Sequence, residues 1–523
     1  MNPQYGAAAV AAGGYGCVFN PALLCEGETI RRHGKVSKLM LKEYAEREIK
    51  ELQTYQYIIS SIPNYEEYFI IGGITICKPR PLNEKIDLKK FDAICNNLTE
   101  KKYNSSNVNN YLNELRAITL TNGGIDIKKY LKKNLTPERF NVLNGGLIKL
   151  LKYGIVPMNK KKLYHFDLKA GNILISDDNK VRIIDWGLSA IQIGNEIPQT
   201  IKNRPYQFNL PIGTLVLQDE FKTFLKDELV NLKSKAKSED INTRDNIRFV
   251  ATKWFYEFQK TTGSGHKDYI LKCLGSIYQD ELSFMKKLPS KKVLNFKLYN
   301  ILINFITETI TSIILKYTNF STMDFDAEEY FNEVYCHNVD ICGFLMTYNN
   351  IFFKNSLYKK TIIFSKEEKE NFFFILKHIF YKYLFSDEYA CKKINIDELI
   401  EELKKLSKIL GTNIIINSHP LNLPQKILKT KKNKIIKLKL TKKDDNIHSL
   451  QVNKYTLSKS STNSSTNSST NSSTNSSTNS STKKNKTHSD LTRSKDKIDL
   501  IGKNCKRKYC TIKKTRRCKK NKK

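Results

Sequence analysis

One loop and one turn of this sequence hold the residue types that phosphoryl transfer requires. The loop is Tyr164-His165-Phe166-Asp167-Leu168-Lys169-Ala170-Gly171-Asn172, and the turn is Asp185-Trp186-Gly187. Moving a phosphoryl group takes a carboxylate to accept the acceptor's proton, an amide oxygen on one metal ion, and a second carboxylate linking metal to nucleotide. Asp167, Asn172 and Asp185 supply these in order. Any one such residue in a loop is ordinary turn chemistry. The ordered set at this spacing carries the functional reading.

For the two acids to meet, the chain between them must double back. Ile173-Leu174-Ile175 and Val181-Arg182-Ile183-Ile184 read as short strands around the polar turn 176–180, a hairpin that returns Asp185 towards Asp167. The loop has the His-x-Asp-Leu-x-x-x-Asn form of the kinase catalytic signature. On these residues the region resembles the protein kinase superfamily, and Lys169, two after Asp167, resembles its serine/threonine branch rather than the tyrosine or aminoglycoside types. The resemblance implies a two-lobed α+β fold in which Asp167 orients the acceptor hydroxyl and takes its proton. Lys169 would offset charge on the γ-phosphate of ATP, and Asn172 with Asp185 would hold Mg²⁺. His165 is expected to hold the loop structurally. Phe166 stands where regulated kinases carry Arg, so activity is not expected to wait for activation-loop phosphorylation.

Upstream, residues 9–19 form a glycine-rich turn between apolar segments, where backbone amides can approach phosphate oxygens without intervening side chains. Matched to the kinase glycine loop, Gly13 and Gly16 are its second and third glycines, Gly14 lies between them, Val18 faces the adenine, and Ala11 replaces the first glycine. Lys38, in Val36-Ser37-Lys38-Leu39-Met40, sits where the phosphate-holding lysine belongs, with Lys35 as the alternative register. Residues 42–60 have helical composition and apolar spacing. Glu51 is the expected partner of Lys38 by spacing, with Glu48 as competitor. Strands are expected over 69–77 and 117–121, separated by a polar insertion at 83–112. Thr119-Leu120-Thr121-Asn122-Gly123-Gly124 resembles the hinge, and Asp126 either meets the ribose or caps a helix. Helices are expected over 127–133 and, with Thr136 as cap, over 137–154.

After Asp185-Trp186-Gly187 the likeness loosens. No Ala-Pro-Glu follows, and the nearest candidate for the acid of a buried helix is Asp340, 153 positions beyond Gly187 by subtraction. The segment 204–211 is expected to take over the substrate-facing platform, with a helical insertion over 215–335 and two closing helices within 366–411. Cys17 to Cys25, Ile62 to Ile70 and Gly263-Ser264-Gly265-His266-Lys267-Asp268-Tyr269 are similar to kinases of large nucleocytoplasmic DNA viruses. That likeness implies a giant-virus origin, with the host cytoplasm, and the virion, as locations.

Composition sets the wider frame. The 523 residues carry 88 Lys and Arg against 52 Asp and Glu, a net charge of +36 that favours anionic partners. Eleven cysteines are scattered without a Cys-x-x-Cys pair, which argues for a reducing intracellular compartment and against a disulfide framework or zinc site. The most apolar helix-length segment, 301–315, contains Asn304, Thr307 and Glu308 and reads as too short to span a bilayer. No signal peptide is read at the start. A basic linker follows at 413–459, then a Ser/Thr/Asn repeat at 460–482 that cannot bury enough surface to order. The last segment, 483–523, has 18 Lys and Arg against 3 Asp and is expected to bind polyanions such as nucleic acid. The expectation is an ATP- and Mg²⁺-dependent serine/threonine kinase domain over 1–412 acting on proteins, with lobes meeting near residue 121. The alternatives are a pseudokinase scaffold and a small-molecule or lipid kinase on the same core.

Overall fold

The structure is a computed structural model and describes residues 7–13, 15–235, 241–277, 291–352 and 362–411. Gly14, parts of the insertion, and the linker, repeat and tail at 413–523 lie outside the described residues.

The amino-terminal lobe is a five-stranded antiparallel sheet in the order β1-β2-β3-β5-β4. Its strands are β1 (Ala8–Ala12), β2 (Gly16–Asn20), β3 (Lys35–Leu41), β4 (Thr75–Cys77) and β5 (Leu115–Thr121). Side chains alternate across a strand, so β3 and β5 serve two cores at once. Leu39 and Leu115 join Cys17, Phe19, Phe91 and Val108 on one face, whereas Met40 and Ile118 meet Ala45 on the other. That second face receives helix α1 (Lys42–Ile59), whose buried residues Ala45, Leu52, Tyr55 and Ile59 recur at helical spacing. Lys38 shares parity with Met40 and therefore points to the α1 side of the sheet.

The polar-looking insertion at 83–112 folds onto the opposite face as short helical turns, Phe91–Ile94, Asn96–Thr99 and Val108–Glu114. It brings a correction. Cys17 is disulfide-bonded to Cys95 and Cys25 to Cys77, pairs separated by 78 and 52 residues. The expectation of no disulfide framework fails because sequence spacing hides pairing: Cys17 on β2 meets Cys95 of the insertion, and Cys25 in the connection after β2 meets Cys77 on β4, only once the lobe folds.

The chain enters the larger lobe through Gly123 and Gly124. A Cβ on Gly123 would fall 2.1 Å from Ile70 Cδ1, and Gly124 has φ +94° with a virtual Cβ 2.2 Å from the Ile175 carbonyl oxygen. Only glycine lets the connection lie this close to the hairpin beyond. Thr136 caps the helix Pro137–Lys149, which passes through a wide turn at Leu150–Ile155 into Val156–Lys160, beyond the expected end at 154. Proline lacks an N–H, and Pro157 at the start of that last segment is accommodated by the loosened turn before it.

The insertion expected at 215–335 is helical, with Asp219–Lys235, Arg244–Thr262, Lys267–Ile277 and Lys291–Tyr317. It is built into the core of the lobe: Leu302, Ile306, Ile310, Ile313 and Ile314 are fully buried in the same cluster as the catalytic-loop residues Phe166 and Leu168. By length and composition, the stretch Leu298–Tyr317 is sufficient to cross a membrane, which corrects the shorter span read from sequence. Half of it is buried inside the lobe, and its Glu308 pairs with Arg244 and Arg248. Lys366–Leu384, opened by a Ser365–Glu368 capping box, and Ile396–Lys408 complete the lobe.

Candidate functional site

Strand pairing sets the upper half of the site. Lys38 on β3 lies opposite Val18 on β2. Gly13 lies above it, with a virtual Cβ 3.5 Å from Lys38 Cε. Gly16 is required by packing, since a Cβ there would meet the Leu39 carbonyl oxygen at 2.5 Å. Asn97, from the 83–112 insertion, donates to the Gly13 carbonyl and so ties the glycine turn to the disulfide-linked layer behind it.

Lys38 Nζ donates to Glu48 Oε2 at 2.7 Å and to Oε1 at 2.9 Å. This corrects the choice of Glu51. Glu48 follows Ala45 by three and precedes Leu52 by four, which places it on the buried stripe of α1 facing the sheet. Glu51 is displaced towards the edge of that stripe, where burial raises its carboxyl pKa, Arg47 opposes and Glu48 adds to the rise. The signal that selects Glu48 was present in the sequence as helical phase.

The lower half converges on Asp167. Its Oδ2 accepts from Lys169 Nζ at 2.6 Å and from Asn172 Nδ2 at 3.0 Å. Its Oδ1 accepts from Asn209 Nδ2 at 2.9 Å. Asn172 Nδ2 also donates to the Asp167 carbonyl at 2.9 Å. With its nitrogen so engaged, the Asn172 amide leaves Oδ1 as an available oxygen. Asp185 is exposed and stands at φ +68°, one residue after Ile184, whose N–H donates to the Asn172 carbonyl at 3.0 Å. The strands Ile173–Ile175 and Val181–Ile183 pair as the expected hairpin. An amide oxygen and one carboxylate suit Mg²⁺, a hard cation that keeps several waters and takes further oxygens from phosphate. Among the described residues, no group of three or more His, Cys, Asp or Glu could hold a metal.

The catalytic loop is held in a conformation it would not adopt unaided. Phe166 has φ +57°, the left-handed region, at a cost of about 1–3 kcal/mol for a bulky side chain. Asp340 restrains it from one side: Oδ2 accepts from His165 N at 2.8 Å and Oδ1 from Phe166 N at 2.9 Å. Burial raises the Asp340 pKa, against His165 and these two amide bonds, which favour the carboxylate. From the other side, Arg204 Nη1 donates to the Phe166 carbonyl at 3.0 Å. The cation missing at position 166 is thus supplied 38 residues later. Burial lowers the Arg204 pKa while Tyr335 and Asp167 oppose. His165 Nδ1 accepts from Asp167 N at 3.3 Å and its Nε2 donates to the Ile184 carbonyl at 3.0 Å, the structural role expected of it. Tyr55 of α1 donates to the Ser189 carbonyl at 2.8 Å and stands beside Trp186, linking the glutamate-bearing helix to the Asp185-Trp186-Gly187 turn.

Asn209 and Arg204 were not singled out as site residues, although their segment was. Their partners lie about forty residues away, and nothing in local composition announces them. Asp126 caps the helix after the hinge by accepting from Lys129 N at 2.8 Å.

A lysine on an antiparallel sheet paired to a helix glutamate, and a loop whose acid is held by lysine and asparagine, are two parts that the protein-kinase template also has. A stretch of 82 residues is 29% identical to the serine/threonine-protein kinase dst3 of Dictyostelium discoideum, covering 16% of this chain and 14% of that protein. The chain therefore spans about one seventh of that relative's length. A crystal structure of a kinase domain aligns over 60% of this chain and 94% of its own at 11% identity and a TM-score of 0.27. No family model matches the chain. Neither relative bears on the giant-virus likeness.

Proposed function

We propose that this chain is an ATP-dependent protein kinase that transfers the γ-phosphoryl group to serine or threonine hydroxyls of proteins. The observation that carries the reading is the fully engaged Asp167 carboxylate, with Lys169 and Asn172 on one oxygen and Asn209 on the other. Such a carboxylate is oriented before substrate arrives, which is how positioning lowers a barrier. The acceptor oxygen forms a bond to the γ-phosphorus as the bond from that phosphorus to the β–γ bridging oxygen breaks. ADP departs with that oxygen, and the hydroxyl proton passes to Asp167. Lys169 would offset charge on the transferring group. Lys38, aligned by Glu48, grips the α- and β-phosphates beneath Gly13 and Gly16. Asn172 and Asp185 would hold Mg²⁺, which supplies charge neutralisation on the phosphates when bound. The serine/threonine assignment leans on Lys169 two residues after Asp167, and proteins as acceptors follow from the same resemblance.

The test is ³²P transfer from γ-labelled ATP with Mg²⁺ to a basic protein, an acidic protein and a small-molecule panel, alongside Asp167→Ala and Asp185→Ala. Label on protein serine or threonine that both substitutions abolish is the expected result. Label confined to a small molecule, or no transfer by folded protein that binds ATP, would overturn the assignment.

A further inference from the structure

The helical insertion meets the 204–211 segment at one tight turn, Gly263-Ser264-Gly265-His266. Gly265 has φ +50°, and a Cβ there would lie 2.2 Å from the Tyr206 carbonyl oxygen, so the approach requires glycine. The contact is then fastened at two points. His266 N donates to the Tyr206 carbonyl at 2.8 Å, and Phe208 N donates to His266 Nδ1 at 3.4 Å. The Phe208 ring is held between the imidazole, at 5.3 Å, and Tyr269, at 4.4 Å. The next residue is Asn209, whose amide nitrogen holds both Asp167 Oδ1 at 2.9 Å and the Leu168 carbonyl at 3.2 Å. A continuous set of contacts therefore runs from the insertion to the acid at the centre of the site.

We propose that His266 is a positioning residue of the phosphoryl-transfer site: its Nδ1 fixes Phe208 and Asn209 so that Asn209 keeps the Asp167 carboxylate turned towards the acceptor. The proposal rests on the kinase reading and makes the insertion part of the active site. Only the neutral ring, protonated on Nε2, can accept from Phe208. Burial, followed by Lys169, lowers the His266 pKa below its ordinary value of 6.5, with Asp167 opposing. Tyr206 and Tyr269, the other titratable residues in this set of contacts, have pKa values that burial pushes well up, so both stay neutral. Because the folded value lies below the unfolded one, the clamp is intact above about pH 6.5 and is lost as pH falls through the lower folded value.

The experiment compares His266→Ala, His266→Asn and His266→Gln by hydrogen–deuterium exchange across residues 204–211 and by steady-state kinetics at several pH values. Asparagine places a carbonyl oxygen near the position of Nδ1, whereas glutamine reaches towards that of Nε2. The alanine and glutamine variants are expected to exchange faster at 207–209 and to lose about tenfold in kcat, the order for one lost hydrogen bond, with acceptor KM nearly unchanged. The asparagine variant should restore both readouts and lose the acid limb of the wild-type kcat profile. Unchanged exchange in all three variants, or rescue by glutamine and not asparagine, would overturn the proposal. Exchange is read without catalysis, so a wild-type chain that clamps as described yet transfers no phosphoryl group sinks the kinase reading and leaves the clamp standing.

Discussion

Replacing Glu48 by Gln separates the two glutamates of α1 that spacing alone left in competition. The Lys38–Glu48 side chains are 12% and 19% exposed, and the ammonium donates to both carboxylate oxygens. A hydrogen bond to a charged group contributes about 1.5–3 kcal/mol in such a setting. Glutamine keeps one neutral acceptor, so the lower end of that range applies. A loss of about 1.5 kcal/mol in transition-state stabilisation corresponds to roughly a tenfold fall in kcat/KM for ATP. Glu51→Gln removes a charge that the lysine does not use, and kcat/KM should stay within about twofold. Both variants should be assayed by initial-rate phosphoryl transfer with ATP varied at fixed Mg²⁺, together with equilibrium nucleotide binding. Loss in the Glu51 variant with a near-normal Glu48 variant would refute the phase argument and shift the register of the whole helix against the sheet.

Two further perturbations probe what holds the site. Asp340→Ala leaves the buried N–H groups of His165 and Phe166 without their acceptor, at a cost of about 2–5 kcal/mol, and Asp340→Asn restores one acceptor only. Urea unfolding midpoints should fall in the order wild type, Asn, Ala, and a wild-type midpoint for the alanine variant would remove Asp340 from this role. Reduction of the Cys17–Cys95 and Cys25–Cys77 bonds should destabilise the amino-terminal lobe, each disulfide being worth about 2–4 kcal/mol. Thermal melts with and without reductant, beside non-reducing peptide mapping, measure this, and a chain that maps with free thiols at these positions while melting identically in both conditions would contradict it.

What the sequence could reveal followed the distance over which each interaction acts. The 164–172 loop, its hairpin and the Asp185-Trp186-Gly187 turn were legible because their geometry is set within about twenty residues by strand pattern and turn chemistry. Asp340 could be nominated only through the kinase resemblance, as the nearest candidate for the acid of a buried helix. The disulfides, Arg204 and Asn209 were not legible, because each partner is fixed by how separate elements pack. Glu48 differs from these cases, since its helical phase against Ala45 and Leu52 was readable and linear spacing from Lys38 misled.

The placement of Arg204 bears on how such a site stays assembled. A positive φ at Phe166 needs restraint on both its N–H and its carbonyl, and these come from Asp340 and Arg204. Arg204 is 6% exposed and also donates to Gln207. A guanidinium so enclosed can support the loop continuously, whereas an arginine at position 166 that awaited a phosphate would support it conditionally. The same segment carries Asn209 to Asp167 and is fastened by His266. The loop's cation, the acid's amide partner and the insertion's clamp are thus concentrated between residues 204 and 209. By this arrangement the segment that departs most from the expected pattern, having no Ala-Pro-Glu, is also the one on which the orientation of Asp167 depends.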